Sequence, residues 1–155
     1  MEESLDFAEK ELRRSDHLLY VSLKYTRTVD VLKSIIERLI NAIAFCNTAL
    51  LKKAKSEGVI KEVPELSRTV VDTLRNIYAD DTVIQNYMDF YNLLRKLDKA
   101  EFDRALEYRR HVTMTAHLDD KKVEITIDII TDYFNRTKEY LIYVKKLIHG
   151  EQENE

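Results

Sequence analysis

Val29, Leu32, Ile36, Leu39, Ile43, Cys46 and Leu50 follow one another at alternating intervals of three and four residues. That spacing returns a side chain to the same face of an α-helix at every step, so the seven form one apolar stripe. Ile35, Ala42 and Ala49 widen it. The pattern predicts a helix from about Val29 to Lys55, ~40 Å long at 1.5 Å per residue. Gly58 is its expected stop, and Lys52, Lys53 and Lys55 oppose the helix dipole in the last turns. The stripe recurs near the end of the chain in Val123, Ile127, Ile130, Phe134, Thr137, Leu141, Val144 and Ile148. A second apolar row (Ile129, Tyr133, Tyr140, Leu147) flanks it, and Glu124, Asp128, Asp132 and Asn135 occupy the opposite face. Two long helices of this kind are expected to pack as antiparallel neighbours.

What joins them must also be mostly helical. The 155 residues contain two glycines and one proline, whereas a β-rich chain needs turn residues every ~8–12 positions. The expected fold class is therefore all-α: an antiparallel helical bundle of about five or six helices in one domain over residues 1–150, with the tail 151–155 frayed. Leu5, Ala8, Leu12, Leu19 and Leu23 mark a first helix running toward Tyr25. Residues 57–66 form a loop around Pro64, and Ser67 can cap the helix of Val70, Val71, Leu74 and Ile77. The Asp80-Asp81-Thr82 run caps another, carrying Val83, Tyr87, Phe90, Tyr91 and Leu94, and a short helix is expected through Phe102, Leu106 and Tyr108. Tyrosines at such spacing read as amphipathic residues at the edge of the core.

The totals exclude several functions. A net charge of −3 lacks the basic excess of a non-specific nucleic-acid binder, although a local basic patch stays open. A single cysteine, Cys46, excludes a disulfide framework and reads as a small core residue. No apolar run approaches the ~18 residues of a membrane span and no signal peptide is evident, so a cytoplasmic protein without a membrane role is expected. There is no glycine-rich phosphate loop, serine-nucleophile motif or CxxC pair, no Glu-x-x-His pair for a di-iron bundle, and no cofactor is expected.

The chemistry-bearing stretch is RALEYRRHVTMTAHLDDKKVEI, Arg104 to Ile125. After Tyr108 the apolar period fails, and Val112, Thr113 and Thr115 are β-branched and unfavourable in a helix. Asp119 is the expected N-cap of the last helix, with Leu118 and Val123 at the staple positions. His117 would then stand beside the electropositive end of that helix, with Arg109 and Arg110 at the end of the preceding one. A guanidinium offers a fork of donors to phosphate, and an imidazole can exchange a proton near neutral pH.

Arg110-His111-Val112-Thr113-Met114-Thr115-Ala116-His117, ahead of a final long helix, resembles the signature of the HEPN family (higher eukaryotes and prokaryotes nucleotide-binding domains): Arg, a polar residue, then His after four to six intervening residues. The resemblance implies a helical homodimer with two such motifs facing one another, and metal-independent RNA cleavage. In it His117 would serve as general acid or base, Arg110 would stabilise the phosphate, and His111 would fill the polar slot. Arg104 and His111 match the same spacing, and Asp119 stands where some members carry tyrosine. Two further readings stand beside it. One is a non-catalytic helical interaction protein, dimeric or with another protein partner, in which these residues satisfy a polar corner. The other is a metal site assembled through space by Asp16, His17 and His111 or His117.

Overall fold

Thr28 opens the central helix. In the computed structural model, which describes residues 1–150, its hydroxyl accepts from Val31 N–H, and α3 runs from there over Val29–Ser56. The end is a Schellman closure: Val59 N–H bonds Ala54 C=O (2.9 Å) and Gly58 N–H bonds Lys55 C=O (3.1 Å), with Gly58 at φ +77°. All seven residues of the stripe are buried. α1 (Glu2–His17) precedes α3 and continues through a π-helical turn, Leu18–Ser22, into the short α2 (Leu23–Tyr25). α4 (Ser67–Ile77) and α5 (Thr82–Lys99) follow, and α6 (Ile127–His149) closes the chain. Ser67 is the first residue of α4 and makes no capping bond, whereas Asp81 caps α5 by accepting from Ile84 N–H at 3.0 Å. The tail 151–155, expected to fray, lies outside the described residues.

α1, α4, α5 and α6 all pack on α3. Cross-links between helices fix their directions. Ser4 meets Lys52, and Glu11 meets Arg38, so α1 and α3 are antiparallel. Glu2 pairs with His149 and Glu9 with Lys145, so α1 and α6 are antiparallel too. α3 and α6 therefore run in the same direction, side by side, joined across the core by Tyr140 Oη donating to Asn47 Oδ1 at 2.6 Å. The expected antiparallel pairing of the two long helices is thus corrected. Three intervening units separate them in sequence, the α4–α5 pair and a sheet, and these bring the chain back to the end from which α3 starts.

That sheet is the second correction: the molecule is mostly helical but not all-α. β1 (Glu101–Ala105), β2 (Thr113–His117) and β3 (Lys122–Ile125) form an antiparallel meander in the order β1-β2-β3. Phe102 and Leu106 do not share a helix; Phe102 lies in β1 opposite Ala116, and Leu106 begins the following loop. The β-branched Thr113 and Thr115 supply strand, and alternate residues are buried, Val112 just before β2 and Met114 and Ala116 within it. Val123 pairs with Ala116 in β3 and so is not in the last helix. The cap of α6 is Thr126, whose hydroxyl accepts from Ile129 N–H at 3.2 Å, and not Asp119. α3 is also the one helix among the described residues long and apolar enough to cross a membrane by length and composition, and its stripe is covered by the other helices.

Candidate nucleic-acid interface

The meander separates the residues that the motif groups together. His117 ends β2, paired across the sheet with Glu101 and Lys122. Arg110 and His111 sit beyond the other end of that strand, as the central residues of a turn in which Val112 N–H bonds Arg109 C=O at 3.0 Å. The strand from Thr113 to His117 alone spans about 13 Å at ~3.3 Å per residue. Within one chain Arg110 and His117 therefore do not address one phosphate, and His117 is not at a helix N-terminus. Its Nε2 lies 2.7 Å from Asp103 Oδ2 on the neighbouring strand.

The loop between β1 and β2 is built under backbone strain. Leu106 has φ +55° and Tyr108 φ +66°, a region that bulky L-residues seldom occupy. Arg109 N–H bonds Leu106 C=O at 3.2 Å, so Tyr108 occupies the turn position that usually takes glycine. What holds it there is the segment between α2 and α3. Tyr108 N–H bonds Arg27 C=O at 2.6 Å, and Glu107 Oε2 accepts from Val29 N–H at 3.2 Å at the start of α3. A carboxylate there also meets the positive end of the helix dipole. Arg104 binds Asp30 at 2.9 Å and lies 3.7 Å from Glu107. The Asp30 contact is the first cause of the rise in its already high pKa.

These ties engage the two local acids and leave the surrounding cations unpaired. Lys24, Arg27, Arg109 and Arg110 make no ion pair among the described residues, and Arg27 Nε is buried with no acceptor. Two aromatic rings stand on the two joined segments, Tyr25 78% exposed and Tyr108 75% exposed. Four cations, an exposed histidine (His111) and two exposed rings thus stand on the two segments that these bonds join, in a chain whose net charge is −3. The sequence reading placed Arg110 and His111 in a polar corner but missed Lys24, Tyr25, Arg27 and Tyr108. Tyr108, set between Glu107 and Arg109 where the apolar period ends, was the available signal.

No group of three or more His, Cys, Asp or Glu side chains among the described residues could hold a metal. Asp16 and His17 lie at the end of α1 and do not join the histidines of the sheet. No family model matches the chain, and neither a curated protein nor a solved structure matches it.

Proposed function

We propose that the protein binds RNA through the corner formed by the β1–β2 loop and the α2–α3 segment. The observation that carries this reading is the strained loop itself. It holds Tyr108 open to solvent beside unpaired Arg109 and Arg110, at a cost of about 1–3 kcal/mol for each residue so constrained. Exposed rings offer stacking platforms to unpaired bases, and arginine forks grip the phosphates between them. Flanking acids are already engaged by Arg104 and by the start of α3, so they do not repel a polyanion at full strength.

Binding, rather than cleavage, is the function this geometry favours. The nuclease chemistry implied by the HEPN resemblance needs Arg110 and His117 at one phosphate, and a single chain keeps them at opposite ends of β2. Cleavage would require a second chain to supply one of the two. Fluorescence anisotropy with a labelled single-stranded RNA of mixed sequence tests the proposal. The wild-type chain is expected to bind, Arg109→Ala/Arg110→Ala to bind more weakly, and Tyr108→Ala to lose roughly 5- to 150-fold, the equivalent of ~1–3 kcal/mol of stacking. Equal affinity in all three chains contradicts it. In the same samples, His117→Ala is expected to leave RNA integrity unchanged.

A further inference from the structure

A groove of about 330 Å³ runs between α1 and α6 and is lined by these two helices alone. Its floor is apolar: Leu12, Phe134 and Leu141 are nearly buried, and Ile142 stands on the rim 53% exposed. The π-helical turn after α1 extends the surface. There Leu19 and Leu23 keep to the core, whereas Tyr20 and Val21 turn outward, 55% and 41% exposed. Tyr20 sets its ring edge-on to Phe134, with 6.2 Å between centroids. Exposed apolar surfaces of this kind mark interaction sites, and π turns recur at functional positions.

The charges along the groove say what covers it. α1 places Arg13 and Asp16 one turn apart on one wall, and α6 places Lys138 on the other. All three are exposed and make no ion pair among the described residues. Lys138 rests over the Phe134 ring at 5.5 Å, and Glu9, by contrast, is held by Lys145. The helix register set by Glu9–Lys145 and Tyr20–Phe134 puts Lys138 level with Asp16. An ion of either sign in the groove would therefore meet a charge like its own. A surface carrying both signs in reverse order would not, and the chain has such a surface in the groove itself. A two-fold contact presents one patch to its own copy. With the two α1 helices antiparallel, Arg13 meets Asp16 of the second copy, and Asp16 meets Arg13 of the second copy.

We infer that a second copy of this chain docks on the α1–α6 groove, packing Tyr20 and Ile142 across the apolar floor under two reciprocal Arg13–Asp16 pairs. With the axis between Arg13 and Asp16, the two Tyr25 residues fall ~30 Å apart at 1.5 Å per residue. The two RNA corners are then separate sites on one dimer. This differs from the facing motifs that the HEPN resemblance implies, and the inference does not depend on the RNA reading.

Sedimentation velocity of the full chain over about 1 to 100 µM tests it. The wild-type chain is expected to dimerise in this range. Ile142→Asp should weaken association tenfold or more. Arg13→Asp alone and Asp16→Arg alone each set like charges opposite one another across the two-fold, and each should weaken association in the same way. Mixed one to one, these two chains present opposite charges and should associate again. Such rescue is not expected of damage to the fold, and unchanged circular dichroism and urea midpoint show that the variants remain folded. A wild-type chain that stays monomeric overturns the inference and leaves the groove to a different protein. A dimer indifferent to Ile142→Asp and to both charge reversals also overturns it, because it must use another face. So does a mixture of the two reversed chains that fails to associate.

Discussion

At the scale of single residues, the core holds polar groups whose partners are few and therefore consequential. Asn47 and Tyr140 are fully buried, and among the described residues the 2.6 Å bond between them is the one hydrogen bond of the Asn47 side chain, whose Nδ2 has no partner there. Tyr140→Phe removes the donor and leaves a buried carbonyl unsatisfied, so it is expected to cost ~1–3 kcal/mol in urea unfolding. Cys46 is buried beside them, and burial pushes its thiol up to about 12 against the opposing effect of Lys145. A thiol without access or thiolate character should resist a thiol reagent at pH 8 in the native protein and react once urea unfolds it. Burial also raises Tyr78, Tyr87, Tyr133 and Tyr140. Tyr143 is pushed up to about 12, first by desolvation and then by its bond to Asp81. The unfolded phenols ionise near 10. Above pH 10 the unfolded state thus binds fewer protons than the folded one, and stability falls as pH rises from 10 toward and past 12. Urea midpoints at pH 9, 10 and 11 should decline in that order.

At the scale of elements, the β1–β2 loop sets local strain against use. Tyr108→Asn places a residue that tolerates positive φ at the strained position. It is expected to raise the urea midpoint by about 1 kcal/mol equivalent while weakening RNA binding, a stability gain that coincides with loss of function. A midpoint that falls, or RNA affinity that rises, contradicts the role given to the ring. This loop also marks where the sequence stops being legible. The limits of α3 follow from signals within a few residues of each end, Thr28 at one and Gly58 at the other, and Asp81 announces α5 in the same way. The strands are four or five residues long. Over so short a span Phe102 and Leu106 mimic helical spacing, and only pairing with distant residues such as Ala116 decides the outcome. Neither positive φ of this loop falls on a glycine, so no glycine announces the turn that exposes Tyr108, and the end of the apolar period at that residue is the one cue.

At the scale of the whole molecule, the bundle acts as a frame that separates two ends of one sheet. The Arg-x₆-His spacing reads as one site in sequence, but β2 extends it and delivers Arg110 with His111 to the α2–α3 corner and His117 to the end of the sheet beside α5. The direction of α6 follows from the same feature, because the meander returns the chain to the start of α3 before the last helix begins. Net charge hides this arrangement, since acids spread over the helices outweigh four cations gathered on one corner. RNA binding at this corner is tested by the salt dependence of RNA affinity in the wild-type chain and in Arg109→Ala/Arg110→Ala. For single strands each neutralised phosphate contributes ~0.7 to the slope of log K against log salt. Wild-type binding should be measurable at low salt, and its slope should fall by about 1.4 in the double variant. Identical slopes, or no binding by the wild-type chain at low salt, would contradict it.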